Sequence, residues 1–314
     1  MRRLRRAVMV PVVALLDVVV LLLSPVAAVV ALVVSAVARS TRPVRSVALV
    51  AAYAAVEFSL LPRVLRAGQD WDALVRDVLA RSYAILRSVL DVRVVLEPGS
   101  ATREQVAGGR PLIVLARHCG PGDSLFVAWL LSVHYRLRLG VVLKSALRWE
   151  PVVDLAADHL PLCFVDRHRA PTRRRITEVA AMLSAGDALL LFPEGGNFSW
   201  PRWRRAIRSL VAKGAYRLAR QARRRTHTLP PRTGGAAAAL TGAPTADVLV
   251  LTHSGFAADG RDRPWWRLPV HRTLLVRTAL VPSASVPRDE EAMAAWLVDT
   301  WSAVDTWVAG HSTG

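Results

Sequence analysis

LIVLARHCGPGD, running from Leu112 to Asp123, decides how this chain folds. An unbroken apolar run stopped by a Gly-Pro-Gly turn reads as a strand buried on both faces. Such strands belong to parallel sheets covered by helices on each side. The same pattern recurs outward from it, at LGVVLK (Leu139 to Lys144), LCFVDR (Leu162 to Arg167) and ALLLFP (Ala188 to Pro193). Helical spacing of apolar residues fills the gaps at Ser124 to His134, around Trp149 to Ala157, and at Thr172 to Ala185. A strand at VRVVLEP (Val92 to Pro98) precedes this series. DVLVLTH (Asp247 to His253), TLLVRTALV (Thr273 to Val281) and a helix from Asp289 to about Gly310 follow it. The expected fold class is therefore α/β, a largely parallel central sheet flanked by helices.

The N-terminus obeys a different rule. Almost every residue from Ala7 to Ala38 is apolar, and a second apolar run covers Val47 to Leu61. As one helix the first run would be about 45 Å long, against roughly 30 Å of bilayer hydrocarbon. Pro25 predicts a break or kink, and Asp17 and Glu57 interrupt the apolar surface. Arg2, Arg3, Arg5 and Arg6 precede the first run, and Arg39, Arg42 and Arg45 follow it. A single span would put one of these clusters on the wrong side of a membrane. A membrane helical hairpin that enters and leaves one leaflet, or two imperfect spans, retained as an anchor, is expected instead. The division is residues 1–66 for the hairpin and 67–314 for the α/β domain. The expected location is the cell membrane, with the domain on the cytoplasmic face. The segment from Trp71 to Leu90 has the spacing of an amphipathic helix.

Charge and cysteines narrow the classes. Lys and Arg number 42 against 24 Asp and Glu, a net +18, and nearly all the positive charge is arginine. Anionic lipid, phosphorylated substrate and nucleic acid all answer such a charge. No nucleic-acid module accompanies it, so nucleic acid is not an expected partner. Cys119 and Cys163 are the 2 cysteines, which excludes a disulfide framework and metal-ligand spacing.

Two strand ends carry candidate chemistry. LIVLAR leads into His118 and, five residues on, Asp123; a carboxylate folded back on an imidazole makes a general base. An N-capping role for Asp123 competes with that reading. ALLLFP leads into Glu194, Gly195 and Gly196, whose glycines let backbone amides approach an anion. A thiolate nucleophile at Cys119 is disfavoured, because adjacent turn residues seldom face one another. No G-x-S-x-G elbow is present. His134, His159, His227, His253, His271 and His311 have no partner at metal spacing and receive no role, while His168 belongs to a basic cluster suited either to a phosphate or to a solvated helix entry. Arg204 to Arg225 reads as one helix, with charge suited either to solvent or to an anionic membrane. Trp200, Trp203, Trp265 and Trp266 suit a membrane interface or a core equally.

In order and separation, H-x4-D followed by FPEG resembles the glycerolipid acyltransferase (PlsC-type) family, which includes 1-acyl-glycerol-3-phosphate acyltransferases. VLKSALRWEPVVD (Val142 to Asp154), LCFVDR and LPPRTGG (Leu229 to Gly235) resemble further blocks of that family. The resemblance covers about Leu112 to Leu240 and implies a glycerol-phosphate acyltransferase-like fold. It implies O-acylation of a lysophospholipid, most directly 1-acyl-sn-glycerol-3-phosphate, in phospholipid biosynthesis. His118 would be the base and Asp123 its support. Lys144, Phe164, Arg167, Glu194, Gly195, Gly196 and Arg232 would bind substrate. The expected partners are an acyl thioester donor (acyl-CoA or acyl carrier protein), the lysophospholipid and anionic membrane lipids. No cofactor or metal is called for. The alternatives are another lysolipid or glycolipid acceptor, or a silent basic membrane-binding protein of the same fold. The chain departs from the pattern in two places: around the histidine, Arg117 stands in place of Asn and Cys119-Gly120-Pro121 where Ser or Arg is usual, and after FPEG, Gly196 and Asn197 stand in place of Thr and Arg. The missing arginine would contact the acceptor phosphate. Arg202, Arg204 or Arg205, together with Arg232, are the candidates to replace it.

Overall fold

The computed structural model describes residues 2–66, 68–120, 122–165, 172–254 and 270–311. Helices α1 (Arg2–Val37), α2 (Arg42–Val64) and α3 (Trp71–Leu90) come first, then strand β1 (Val92–Leu96) and the short α4 (Arg103–Val106). The central alternation follows: β2 (Leu112–Ala116), α5 (Asp123–Trp129), β3 (Arg138–Lys144), α6 (Pro151–Ala156), β4 (Leu162–Val165), α7 (Thr172–Ala181) and β5 (Asp187–Leu191). The chain continues through α8 (Trp200–Ala212), α9 (Tyr216–Arg224), α10 (Thr233–Gly242), β6 (Asp247–His253), β7 (Arg272–Val281) and α11 (Glu290–His311).

The strands form one sheet in the order β1-β7-β6-β2-β5-β3-β4. Every pairing is parallel except β6 with β7. Alternation along β2 sends Leu112, Val114 and Ala116 to a core shared with Phe126 and Leu130, below α3 and α5. Ile113 and Leu115 go to the opposite core with Ile176, Ala239 and Trp301, below α7, α10 and α11. Both faces are covered, which is why the central strands read as continuous apolar runs. Helix α10 lies so close to α7 that a Cβ at Gly242 would come within 2.3 Å of the Thr177 carbonyl oxygen.

The N-terminal pair forms a helical hairpin turned at residues 38–41. Pro25 does not break it: α1 continues through Pro11 and Pro25. A proline inside a helix removes one hydrogen bond, and the long apolar flanks hold the helix across that gap. The hairpin lies along the α/β domain instead of extending from it. Arg63 at the end of α2 pairs with Asp77 near the start of α3. At the other end, Arg45 donates to the Val89 carbonyl at 2.5 Å, a cation placed at the C-terminus of α3. Leu60, Val64 and Leu74 close the contact between them. Part of the N-terminal basic cluster is already neutralised. Arg5 and Arg6 bind the buried Asp154 of α6 at 2.5 and 2.8 Å, and Arg6 also reaches Asp158 at 2.6 Å. By length and composition both helices could cross a membrane, and the apolar outer surface of α1 is open from Leu4 to Val37.

Two further expectations need correction. Arg204 to Arg225 is not one helix, because Gly214 adopts φ +72° and divides it into α8 and α9. The helix expected to end at His134 is α-helical only to Trp129 and closes in a π-helical turn over Leu130–His134.

Candidate active site

Strands β2 and β5 are neighbours, so their carboxyl ends deliver His118 and Glu194 to one place. The turn after β2 folds back through Gly122, at φ +90°, a conformation that costs glycine little. This brings Asp123 under the imidazole. Both carboxylate oxygens lie 2.9 Å from His118 Nδ1. Asp123 Oδ2 also accepts the backbone N–H of Cys119 at 2.6 Å and of Gly120 at 3.1 Å. The carboxylate is fully buried, while the His118 side chain keeps 15% of its surface. Burial alone would raise the Asp123 pKa. The His118 hydrogen bond and charge, with His253 and the Gly120 amide, outweigh it and hold the group below the ordinary carboxylate value. Asp123 therefore stays ionised and accepts from Nδ1–H, which leaves Nε2 as the basic nitrogen. Among the described residues nothing bonds to Nε2.

Glu194 is also buried, and it works as a clamp. Its Oε1 accepts the backbone N–H of His118 at 3.0 Å and its Oε2 that of Leu229 at 2.8 Å. Burial pushes its pKa up to about 7 against the pull of Arg117 and the two amides. The main chain that follows Glu194 adds a second tie, with Phe198 N–H donating to the His118 carbonyl at 3.0 Å. The His118 ring rests on Phe192, their centroids 4.6 Å apart.

Three supports at this site were not foreseen. His253, at the end of β6, lies wholly buried beside the pair. Its Nε2 is 3.0 Å from the Arg117 carbonyl, and its Nδ1 is 3.7 Å from Cys119 Sγ. Burial pushes its pKa down to about 4, so it is neutral at physiological pH. Arg117, in the departing position before His118, donates to the carbonyls of His253 at 2.7 Å and His227 at 3.0 Å. Asp305 of α11 holds the segment leading to Leu229, accepting from His227 N at 2.8 Å and Thr228 Oγ1 at 2.9 Å. Cys119, Asp123 and His253 have ligand-type atoms within 4.8 Å of one another. Their geometry is that of a hydrogen-bond network, with both Asp123 oxygens already engaged.

Beside Glu194 opens a basic pocket of about 490 Å³ lined by Gly195, Gly196, Arg202, Arg205, Lys213 and Arg232. Arg232 is seated by its backbone N–H on the Pro193 carbonyl at 2.8 Å. Its guanidinium crosses Gly195 so closely that a Cβ there would lie 3.0 Å from Nε. Of the two glycine amides expected to face an anion, Gly195 N–H is spent on the Phe192 carbonyl at 2.9 Å. Arg204 points elsewhere and does not line this pocket.

The remaining expected residues sit apart. Lys144 ends β3, two strands from β2, roughly 10 Å away at normal sheet spacing. Phe164 is on the edge strand β4, buried beneath the Arg148 guanidinium at 4.5 Å. Arg167, Trp265 and Trp266 lie outside the described residues. On the α3 face, an apolar cavity of about 270 Å³ runs between α2, α3, α5 and β3. It is lined by Leu60, Leu74, Val78, Leu125 and Ala128, and Leu125 lies only two residues beyond Asp123.

Residues 100–251 match the family model described as Acyltransferase. A search of curated protein sequences finds no match. Among solved structures, the fold is similar to the 1-acyl-sn-glycerophosphate (LPA) acyltransferase PlsC from Thermotoga maritima. The TM-score is 0.50 at 15% identity, covering 82% of this chain and 89% of that one. At that identity the likeness speaks for the fold.

Proposed function

We propose that this chain, whose residues 100–251 match the family model described as Acyltransferase, moves a fatty acyl group from a thioester to a lysophospholipid hydroxyl. 1-Acyl-sn-glycerol-3-phosphate is the first-choice acceptor. The observation that carries this reading is the His118–Asp123 pair, with a buried ionised carboxylate on Nδ1 and an open Nε2. An alcohol attacks well only as its proton leaves, and Nε2 is placed to take that proton. The leaving thiol has a pKa near 8.5, so no strong acid is needed. The oxyanion requires donors, and the Gly196 amide is the candidate left after Glu194.

The basic pocket supports an anionic headgroup. Arg202, Arg205, Lys213 and Arg232 surround one concavity beside Glu194, so they answer the arginine missing after Gly196. The apolar cavity behind Asp123 fits the acyl chain, with Leu125 and Ala128 of α5 as its nearest wall to the chemistry. The hairpin would lie in one leaflet of the cell membrane, with the domain on the cytoplasmic face against anionic lipid.

The test is purified protein in detergent with palmitoyl-coenzyme A and a panel of lysolipids, reading thiol release and lipid mass together. Diacyl product from a phosphate-bearing acceptor supports the reading and names the substrate. Thiol release without a lipid product, or product only from uncharged acceptors, contradicts it.

A further inference from the structure

No aspartate or glutamate occurs between Glu194 and Asp247. Within that stretch, α8, α9 and their connection expose nine basic side chains, from Arg202 to Arg224. Among the described residues none of the nine has a carboxylate partner. Elsewhere the chain pairs its arginines readily, as Arg138 with Asp187 and Arg174 with Glu178 show. An uncompensated field of this density needs anions supplied from outside.

The basic side chains divide between two faces of α8. Arg202, Arg205 and Lys213 line the acceptor pocket, and Arg205 sits on the ridge between the two faces, lining both. At 100° per residue, Arg204 and Arg208 fall about 140° round the helix axis from that row. There they rim a separate groove with Arg223 of α9, over Trp203 and the buried Ile207. The indole is pinned by Trp203 Nε1 donating to the Arg225 carbonyl at 2.6 Å, so the apolar floor is fixed. Tyr216, seven residues before Arg223 and so on its side of α9, is 68% exposed and adds an aromatic ring among the cations. An apolar floor with a guanidinium rim is complementary to lipid phosphodiesters at a bilayer surface, where indole and tyrosine rings also settle. Placement agrees. Helix α8 follows the carboxyl end of β5, and α6, which grips the start of α1, follows that of β3.

We propose that the outer face of α8 and α9, centred on Arg204, Arg208 and Arg223, is a docking surface for anionic phospholipid, separate from the acceptor pocket. It seats the pocket mouth on a negatively charged leaflet, so anionic lipid content controls turnover. This inference rests on the acyltransferase reading above only for its rate assay. A nucleic-acid phosphate backbone is the rival occupant, since it too would meet a guanidinium row beside aromatic rings.

The experiment uses the full chain in neutral-detergent micelles. The donor and the best acceptor are held at fixed mole fraction while phosphatidylglycerol replaces phosphatidylcholine stepwise. Each arginine near an anionic surface is worth about fivefold in affinity. The wild-type rate should rise roughly tenfold across the series, and 0.5 M salt should flatten the rise, about that concentration being enough to screen surface charge. A triple variant, Arg204→Gln, Arg208→Gln and Arg223→Gln, should keep the neutral-micelle rate and lose most of the rise. The triple lysine replacement should restore it, which a folding defect would not allow. Parallel rises in wild type and the glutamine variant would overturn the proposal. So would inhibition by a short oligonucleotide that the glutamine variant escapes while keeping its lipid response. Absence of any rate in neutral micelles would count against the acyltransferase reading instead. Phosphatidylglycerol binding counted by native mass spectrometry, reduced in the glutamine variant, would then still support the docking surface.

Discussion

The carboxyl end of β2 and the exposed face of α8 treat charge in opposite ways. At β2, Asp123 and Glu194 are buried and every oxygen is engaged, by a ring nitrogen or by backbone amides. On α8 the arginines stand in solvent without carboxylate partners. The first arrangement ties its side chains into one geometry, as the proposed proton transfer needs, and buried polar groups are tolerable there because they are satisfied. The second leaves its charge without a counter-charge until an anion arrives.

That contrast is easiest to break at the tied end. His118→Ala should lower kcat by about 10³-fold, within the range for losing a general base, with acceptor KM little changed. Steady-state thiol release checks it. In the basic pocket, Arg205→Ala and Arg232→Ala should each raise the acceptor KM by about tenfold and leave kcat within about twofold, the signature of lost uniform binding. A KM increase no larger than in Arg204→Ala would remove the pocket from acceptor binding. Ala128→Phe should fill the apolar cavity and shift donor preference from palmitoyl to shorter chains by about tenfold, read from competing donors. Unchanged preference would place the acyl chain elsewhere.

The smallest effect sharpens the comparison through pH. His253 is pushed down to about 4 from 6.5, so the unfolded chain binds the extra proton between those values. Its contribution to stability is present above pH 6.5 and lost as pH falls toward 4, by up to about 3 kcal/mol. Glu194 is raised from 4.5 to about 7, so the folded state holds the extra proton. Its contribution is present below pH 4.5 and lost as pH rises through 7, by a similar amount. The two slopes oppose one another, and wild-type melting temperature should vary little between pH 5 and 6.5. Glu194→Gln should uncover stability that rises with pH in that window, and His253→Gln stability that falls. Identical pH profiles for the two variants would refute this pairing.

The sequence made most of the sheet legible because strands buried on both faces need continuous apolar residues. The observed β2, β3, β5 and β6 begin within one residue of the stretches first quoted. His118, Asp123 and Glu194 were legible because they follow such strands directly. His253 and Arg117 were not. His253 arrives from β6, which pairs with β2 only after a crossover, and nothing local in DVLVLTH marks its final residue. Knowing that β2 and β6 are parallel neighbours in register would have placed His253 beside His118. The loop held by Asp305 depends on α11, the last helix, and is equally remote in sequence. Lys144 and Phe164 stand farther out: their blocks resembled functional ones, and the strand order places Lys144 two strands and Phe164 three strands from β2. The N-terminal pair was legible as a hairpin from its flanking arginines, but its packing along α3 was not, because Arg45 and Arg63 find partners only in the folded domain.

The central claim is that His118 and Asp123 act as one unit on the acceptor hydroxyl. A double-mutant cycle on thiol-coupled diacyl product formation, with His118→Ala, Asp123→Asn and the pair together, tests it most directly. The pair should be no slower than His118→Ala alone, because a base without its ring has nothing left to orient. Losses that multiply, or product from His118→Ala at near the wild-type rate, would contradict it.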